Sequence, residues 1–297
     1  MSNSANTGRQ PGELYLVSTP IGNLEDITLR ALRVLKEADL IACEDTRHTQ
    51  KLLSHYEIRN RAVSYHEHNE TTRAAELAAE IEQGARVALV SDAGTPMISD
   101  PGHRLVALCV SRGIPVIPVP GPSAVIAALA ASGMPAEMFL FAGFLPARAG
   151  ERRHALKELA APASQTALAI TLVLYEAPHR LAAMLADAAE ILGPRSATIA
   201  RELTKIHEEF LRGTLPELAA RVRERPPRGE ITLVIGPPEQ NAAGETPALP
   251  AKTTLAKRVS EIMREQSLDR KAALKLAARE FGINRREAYK RLLVERG

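Results

Sequence analysis

The chain has no tryptophan, only five tyrosines and five phenylalanines among its 297 residues, and an aromatic content of 3%. This argues against recognition of single-stranded nucleic acid by base stacking, which needs aromatic platforms. Ala, Leu and Val must build the core. The two cysteines, Cys43 and Cys109, lie far apart and neither belongs to a C-x-x-C pair. That excludes a disulfide scaffold and a zinc ribbon, and a reducing cytoplasm is the simplest home. Eighteen glycines contain no G-x-G, and G-x-x-x-x-G-K-[ST] is also missing, so a nucleotide-like ligand would need another loop design. No H-E-x-x-H occurs; His66 and His68 alternate on an extended segment but have no third ligand at a recognisable spacing, so no metal is expected. The longest uncharged stretch, Gly113 to Ala136, is broken by Pro115, Pro118, Pro120, Pro122 and Pro135, and reads as two buried elements and a turn instead of a membrane span.

What is present is enough chain for about two domains. The first twelve residues are polar and lack an apolar core, so no secretory signal is expected and residues 1–12 are expected to be disordered. From Glu13 onward, apolar runs of five to seven residues alternate with segments of helical periodicity. Residues 14–18, 39–43, 61–65, 86–91 and 114–119 read as strands, and 28–38, 71–84 and 103–113 as helices. This alternation predicts an α/β domain over 13–120 with a mostly parallel sheet covered on both faces. Ligands of such a sheet gather beyond the carboxyl ends of its strands.

A second α/β domain is expected over 121–236, with helices at 122–132, 152–161, 179–192 and 215–224 and strands at 138–144, 168–175, 196–202, 208–213 and 230–236. Residues 237–251, rich in Pro, Ala and Gly, read as a linker. Beyond it, 252–297 reads as a basic, helix-turn-helix-like module with 13 Lys/Arg against 6 Asp/Glu, although the whole chain carries a net charge of only +3.

Three loops each leave the carboxyl end of a predicted strand: STPIGN (18–23), SDAGTPMISDPG (91–102) and VPGPSA (119–124). Glycine lets backbone approach a ligand, proline stiffens the loop, and Asp and Ser bond hydroxyl and amino groups. Loops of this kind also serve as plain connections, but twelve residues is long for one. Charged clusters stand next to predicted strands at 43–47, 65–70, 175–180 and 201–209. Each alone reads as salt bridges at a sheet end; together they suggest one polar cleft.

The segments LYLVSTPIGNLEDITLRALRVLKEADLIACEDTRHTQKLL, YHEHNE, SDAGTPMISDPG, PGPSA, GFLP, LYEAPHRL and RELTKIHEE, in this order, resemble the ribosomal RNA ribose methyltransferases of the tetrapyrrole methylase superfamily, from about residue 13 to the C-terminus. The resemblance implies two α/β domains of class III methyltransferase type with a donor cleft between them. It also implies S-adenosylmethionine as donor, a cytidine ribose 2′-hydroxyl in the decoding region of 16S rRNA as acceptor, the small ribosomal subunit as context, and a cytoplasmic homodimer. Carried over by motif, the donor site comprises Pro20 from the first loop, Asp92, Ala93, Gly94, Thr95, Met97 and Ile98 from the second, and Ser123 and Ala124 from the third. Tyr175, Glu176, Ala200, Arg201, Glu230 and Ile231 close it from the second domain. Where this chain has SDAGTP, the related tetrapyrrole enzymes carry a G-G-D-P type sequence.

Methyl transfer to a hydroxyl needs alignment and removal of one proton. Candidate proton acceptors are Asp100, Glu44 and Lys205, with Asp45 and Glu202 beside them. Asp100 comes first because its loop is expected nearest the donor, the competing role being to cap the helix after Pro101. Lys205 would need its pKa lowered by burial or by a cation such as Arg201. Arg285, Arg286, Lys290 and Arg291, crowded near the C-terminus, suit phosphate contacts; they equally suit a solvated basic helix. Two other classes compete: a tetrapyrrole methyltransferase, disfavoured by the basic tail, and a non-catalytic ribosome-binding protein, which leaves the loops unexplained.

Overall fold

The computed structural model describes residues 12–165, 169–238, 255–266, 269–280, 287, 288, 290 and 291. They fall into two compact units, Met1–Pro237 and Pro238–Gly297.

The larger unit holds two five-stranded sheets. The first is built from β1 (Glu13–Val17), α1 (Leu29–Glu37), β2 (Leu40–Cys43), α2 (Thr46–His55), β3 (Ala62–Ser64), α3 (Glu70–Glu82), β4 (Arg86–Val90), α4 (His103–Ser111) and β5 (Val116–Val119). Its order is β3-β2-β4-β1-β5 and all pairings are parallel. The two-residue period of a strand sorts the side chains between its faces. Leu40, Ala42, Val87 and Leu89 pack under α3 and α4 with Leu77, Ile81 and Leu105. Ile41, Cys43, Ala88 and Val90 pack on α1 and α2 with Val34, Leu35, Leu52 and Leu53. Burial on both sides is why these strands read as unbroken apolar runs.

The second sheet comes from α5 (Ala124–Ser132), β6 (Phe139–Phe144), α6 (Ala149–Gln165), β7 (Thr171–Glu176), α7 (Pro178–Leu192), β8 (Ser196–Arg201), β9 (Glu209–Thr214), α8 (Leu215–Glu224) and β10 (Ile231–Ile235). The order is β6-β7-β10-β8-β9, with only β6 and β7 parallel. Val125, Ala128 and Leu129 of α5 cover one face through Val173, Ala200 and Val234. Leu156 of α6, Leu181 and Leu185 of α7 and Leu218 of α8 cover the other. Thr214 and Glu217 form a reciprocal capping box that starts α8 where β9 ends.

Three features differ from the sequence-based expectations. The sequence pattern passes over α2, whose buried stripe is only Thr49, Leu52 and Leu53, too short to show a helical period, although Asp45 caps it by accepting from the Arg47 backbone N at 2.8 Å. The uncharged stretch is indeed strand, turn and helix, but β5 is an edge strand and Ile126 of α5 is 53% exposed. Gly12, expected in a disordered start, is buried where an added Cβ would lie 2.2 Å from the Ile81 carbonyl oxygen. Residues 1–11 and most of the expected linker lie outside the described residues.

In the smaller unit α9 (Leu255–Gln266) and α10 (Arg270–Glu280) share a core of Leu255, Val259, Ile262, Ala273, Leu274, Ala277 and Ala278, joined by Ala288. Asp269 caps α10 by accepting from the Ala272 backbone N at 2.7 Å. No described helix is long and apolar enough to cross a membrane.

Candidate active site

The three loops proposed from sequence meet at the carboxyl ends of β1, β4 and β5. The second occupies the whole connection from β4 to α4, residues 91–102. Thr19 and Gly94 exchange backbone hydrogen bonds of 2.9 and 3.0 Å, joining the first loop to the second. The Thr95 hydroxyl lies 3.0 Å from Ser18 Oγ and 3.4 Å from the Pro122 carbonyl oxygen, so one side chain touches all three loops. Gly94 has φ +86°, a conformation open to glycine at little cost.

Together with the second sheet these loops enclose a cavity of about 430 Å³, within the range of small-molecule sites. Antiparallel register places Thr232 of β10 between Tyr175 of β7 and Ala200 of β8, and all three line the cavity. Of the residues carried over by motif, Ala93, Gly94, Thr95, Ile98, Ser123, Ala124, Tyr175, Glu176, Ala200, Glu230 and Ile231 lie in its wall, and so does Asp100.

Pro20, Asp92, Met97 and Arg201 do not. Pro20 and Asp92 line a smaller adjoining pocket, where an Asp92 carboxylate oxygen accepts from the Asp45 backbone N at 3.2 Å and so ties the loop to the start of α2. The Met97 side chain approaches Gly102, and Arg201 pairs outward with Glu209 at 3.0 Å. The sequence reading in turn missed eight wall residues: Ile21, Ser99, Phe144, Ala177, Pro178, Leu203, Gly229 and Thr232. All but Gly229 and Thr232 belonged to quoted motifs and were legible there; Gly229, in RPPRGE, carried no such signal.

Burial pushes the Asp100 carboxyl up to about 6; Glu44 adds repulsion, the Ser91 hydroxyl opposes the rise, and Asp92 adds to it. Glu44 is also raised, first by burial and then by Asp92. Asp100 therefore sits within an acidic group at the cavity wall, poised to be ionised just above pH 6. It does not cap α4: Gly102 occupies the N-cap position, and no side chain bonds there. The Tyr175 hydroxyl is pushed up to about 12 by burial and by Asp100, so it remains a neutral donor. The Glu176 carboxylate accepts from the Ala177 backbone N at 2.8 Å and pairs with Arg180 at 3.2 Å, which occupies it structurally.

Lys205 stands outside the cavity wall, its Nζ 3.0 Å from Glu202 Oε1 and 3.2 Å from Glu230 Oε2. Burial alone would lower its pKa, but hydrogen bonds and charge from those two carboxylates raise it. Arg201, the cation invoked to lower it, is taken up by Glu209 and the Arg228 carbonyl. The lowered pKa that a lysine base needs is thus not what these surroundings produce. Asp45, bonded and paired by Arg47, is held well below the usual carboxylate range, which makes it a weaker proton acceptor than Asp100.

Four of the five non-glycine residues with positive φ among the described residues lie in two cavity loops: Met97 and Ser99 in one, Glu202 and Thr204 in the other. Such strain persists where surrounding structure over-determines it. At Glu202 the determinant is visible, since its carboxylate accepts from the Glu230 backbone N at 2.9 Å and from Lys205. Among the described residues no three His, Cys, Asp or Glu side chains form a metal cluster. Lys290 and Arg291 are exposed on a helical segment, with Arg291 paired to Glu287 at 3.0 Å; Arg285 and Arg286 lie outside the described residues.

Residues 13–219 match the model of the Tetrapyrrole (Corrin/Porphyrin) Methylases. The chain is 53% identical over 224 residues to Ribosomal RNA small subunit methyltransferase I of Halalkalibacterium halodurans, covering 75% of each protein. To the protein of the same name from Synechocystis it is 48% identical over 282 residues, 94% of this chain and 96% of that one. Among solved structures it is similar to uroporphyrin-III C-methyltransferase of Thermus thermophilus complexed with S-adenosyl homocysteine, with a TM-score of 0.52, 22% identity, and coverage of 75% of this chain and 97% of that one.

Proposed function

Because this chain belongs to the tetrapyrrole (corrin/porphyrin) methylase family, we propose that its cavity binds S-adenosylmethionine and that the enzyme methylates ribosomal RNA of the small subunit. The acceptor in this reading is the 2′-hydroxyl of a cytidine ribose in the decoding region, and the setting is the cytoplasm. The observation that carries it is the identity of about half of the aligned residues with proteins named for ribosomal RNA, against 22% for a uroporphyrin methyltransferase. The buried, unpaired thiols of Cys43 and Cys109 agree with a reducing compartment.

The residues present fit the donor. The Gly94 backbone, the Thr95 and Ser123 hydroxyls and the apolar Ile21, Ile98 and Leu203 form a cavity of suitable size and mixed polarity. When bound, S-adenosylmethionine supplies an electrophilic methyl group on a sulfonium that leaves without charge. The chain must then orient the acceptor oxygen and take its proton. The two sheets hold the walls, and the Thr95 bonds fix the loops against one another, so orientation is prepared before binding. Asp100, ionised above pH 6, accepts the hydroxyl proton, while Tyr175 donates without losing its own.

A homodimer is part of the reading. Edge strand β6 and the residue before it leave Met138, Phe139, Leu140 and Phe144 between 38% and 56% exposed, an apolar strip that a second copy would cover. The direct experiment supplies labelled S-adenosylmethionine with small ribosomal subunits, their naked RNA, or uroporphyrinogen, then digests the RNA to nucleosides. Label in 2′-O-methylcytidine is expected. Label in the tetrapyrrole and none in RNA would overturn the acceptor.

A further inference from the structure

Beyond the cavity, across the segment from Arg201 to Lys205, lies a polar groove of about 710 Å³ lined by Arg201, Arg221, Arg225 and Arg228. The β8 alternation sends Ala200 into the cavity and Arg201 into the groove, and in the approach to β10 the neighbours Arg228 and Gly229 divide in the same way. One wall, a single layer of backbone, therefore separates the two spaces.

The groove is not a neutral ion-pair network. Its two acids are already engaged: Glu208 accepts from the Thr204 backbone N at 2.7 Å, and Glu209 holds Arg201 at 3.0 Å. Among the described residues no ion pair engages Arg225 or Arg228; Arg221 feels the Glu217 carboxylate one turn earlier on α8, and all three arginines are exposed. Complementing the carboxyl end of α8 accounts for Arg221 and Arg223, which stand in its last turn. It does not account for Arg225 and Arg228, which lie beyond the helix. Unpaired guanidinium groups facing one groove repel each other and match the fork geometry of phosphate oxygens. Ile206, 97% exposed at the same groove, adds an apolar surface suited to a ribose or base.

We infer that this groove docks the phosphate backbone of the substrate RNA beside the nucleotide that enters the cavity; the inference rests on the RNA reading above. It places one docking surface on the catalytic unit itself, separate from the basic C-terminal unit.

The test compares R225Q/R228Q with R223Q, which removes a charge of the same kind from the end of α8 but outside the groove. Probes are isolated small ribosomal subunits and their naked RNA, and the substituted side chains are exposed. For the double variant KM for RNA should rise about tenfold per guanidinium, with kcat and donor affinity by calorimetry unchanged. The log–log salt dependence of binding should become shallower by about 0.7–0.9 for each phosphate that the protein no longer neutralises. R223Q should resemble wild type in both readouts. If R223Q shifts KM and slope, per charge removed, as much as R225Q/R228Q, the effect is diffuse charge and the groove is not the site. An unchanged double variant overturns the inference while leaving RNA methylation intact. Absence of RNA methylation by the wild type would overturn the underlying reading instead.

Discussion

The two faces of the segment from Arg201 to Lys205 carry opposite chemistry. On one side Asp100, Glu44 and Asp92 gather at or behind a partly apolar cavity, and burial keeps the Asp100 carboxyl up to about 6. On the other, four arginines line an open polar groove. An acidic, half-buried space suits a cationic small molecule and a proton acceptor, whereas a basic open groove suits a polyanion. The wall must keep its shape for both, and its positive-φ residues Glu202 and Thr204, with the Glu202–Lys205–Glu230 cluster, are how it does so. Separation of chemistry over so short a distance teaches that the proposed reaction site in the cavity and the proposed phosphate dock in the groove lie on two sides of one structural element, and predicts that mutation can separate them.

The largest expected effect comes from Asp100→Asn. Removing the carboxylate proposed as proton acceptor should lower single-turnover methyl transfer about 10²-fold or more, with little change in donor or RNA affinity. In the wild type the rate should climb through pH 6, following the carboxyl, and level off above it. Stability moves the other way. Because the folded-state pKa of this acid is raised, the native protein binds more protons than the unfolded chain between the ordinary carboxylate range and pH 6, so this group makes stability fall as pH rises through that window. Asp100→Asn should therefore melt higher than wild type near pH 7.5, with the difference closing near pH 4. A variant that loses activity and also melts lower at pH 7.5 would mean that Asp100 serves the fold.

The next effect, about tenfold on RNA affinity, is expected from ending the chain near Pro247. The α9–α10 core is its own, and the cavity is lined wholly by residues of the larger unit, so donor binding should be unchanged. The salt slope should become shallower but not vanish, because the arginine groove remains. A slope of zero would break the comparison by assigning all docking to the C-terminal unit.

Much of this was legible in the sequence. The strands of the first sheet announced themselves because burial on both faces makes them continuous apolar runs, and the long loop after β4 appears with its bounds intact. Most wall residues followed from motif. What escaped has physical causes. Asp92 and Pro20 sit in the right loops, but alternation along an irregular segment sends them to the α2 side, which no periodicity reveals. Lys205 was legible as a charged residue in a cluster, yet its partners Glu202 and Glu230 come together only through the pairing of β8 with β10. The arginine groove was hidden for the same reason: 215–224 reads simply as a helix, and only the fold brings Arg201 alongside the arginines at and beyond its end.

A smaller effect is expected at Gly229, where φ is +92° and an added Cβ would lie 2.3 Å from Glu202 Oε1. Gly229→Ala should cost about 1–2 kcal/mol from backbone strain and displacement of that carboxylate. Thermal denaturation measures the loss, and donor affinity should weaken a few-fold because Glu230 shifts with the wall. If only RNA affinity falls, the wall is organised for the groove alone.

The smallest effect should come from Lys205→Gln. Its ammonium bridges two carboxylates at 3.0 and 3.2 Å, and with its pKa raised it remains charged at every pH where the enzyme would be assayed. Partly exposed ion pairs contribute about 0–1 kcal/mol, so melting should drop by a degree or two and the transfer rate by less than about threefold. For a lysine with a raised folded-state pKa, the stabilisation is complete below the ordinary lysine range and is lost as pH rises through the folded value. The melting difference between wild type and variant should therefore hold constant across neutral pH and close only in alkaline solution above the ordinary lysine range. A rate loss as large as that of Asp100→Asn, with the pH 6 inflection abolished, would move proton acceptance to the wall between cavity and groove and erase the division of labour between its two faces.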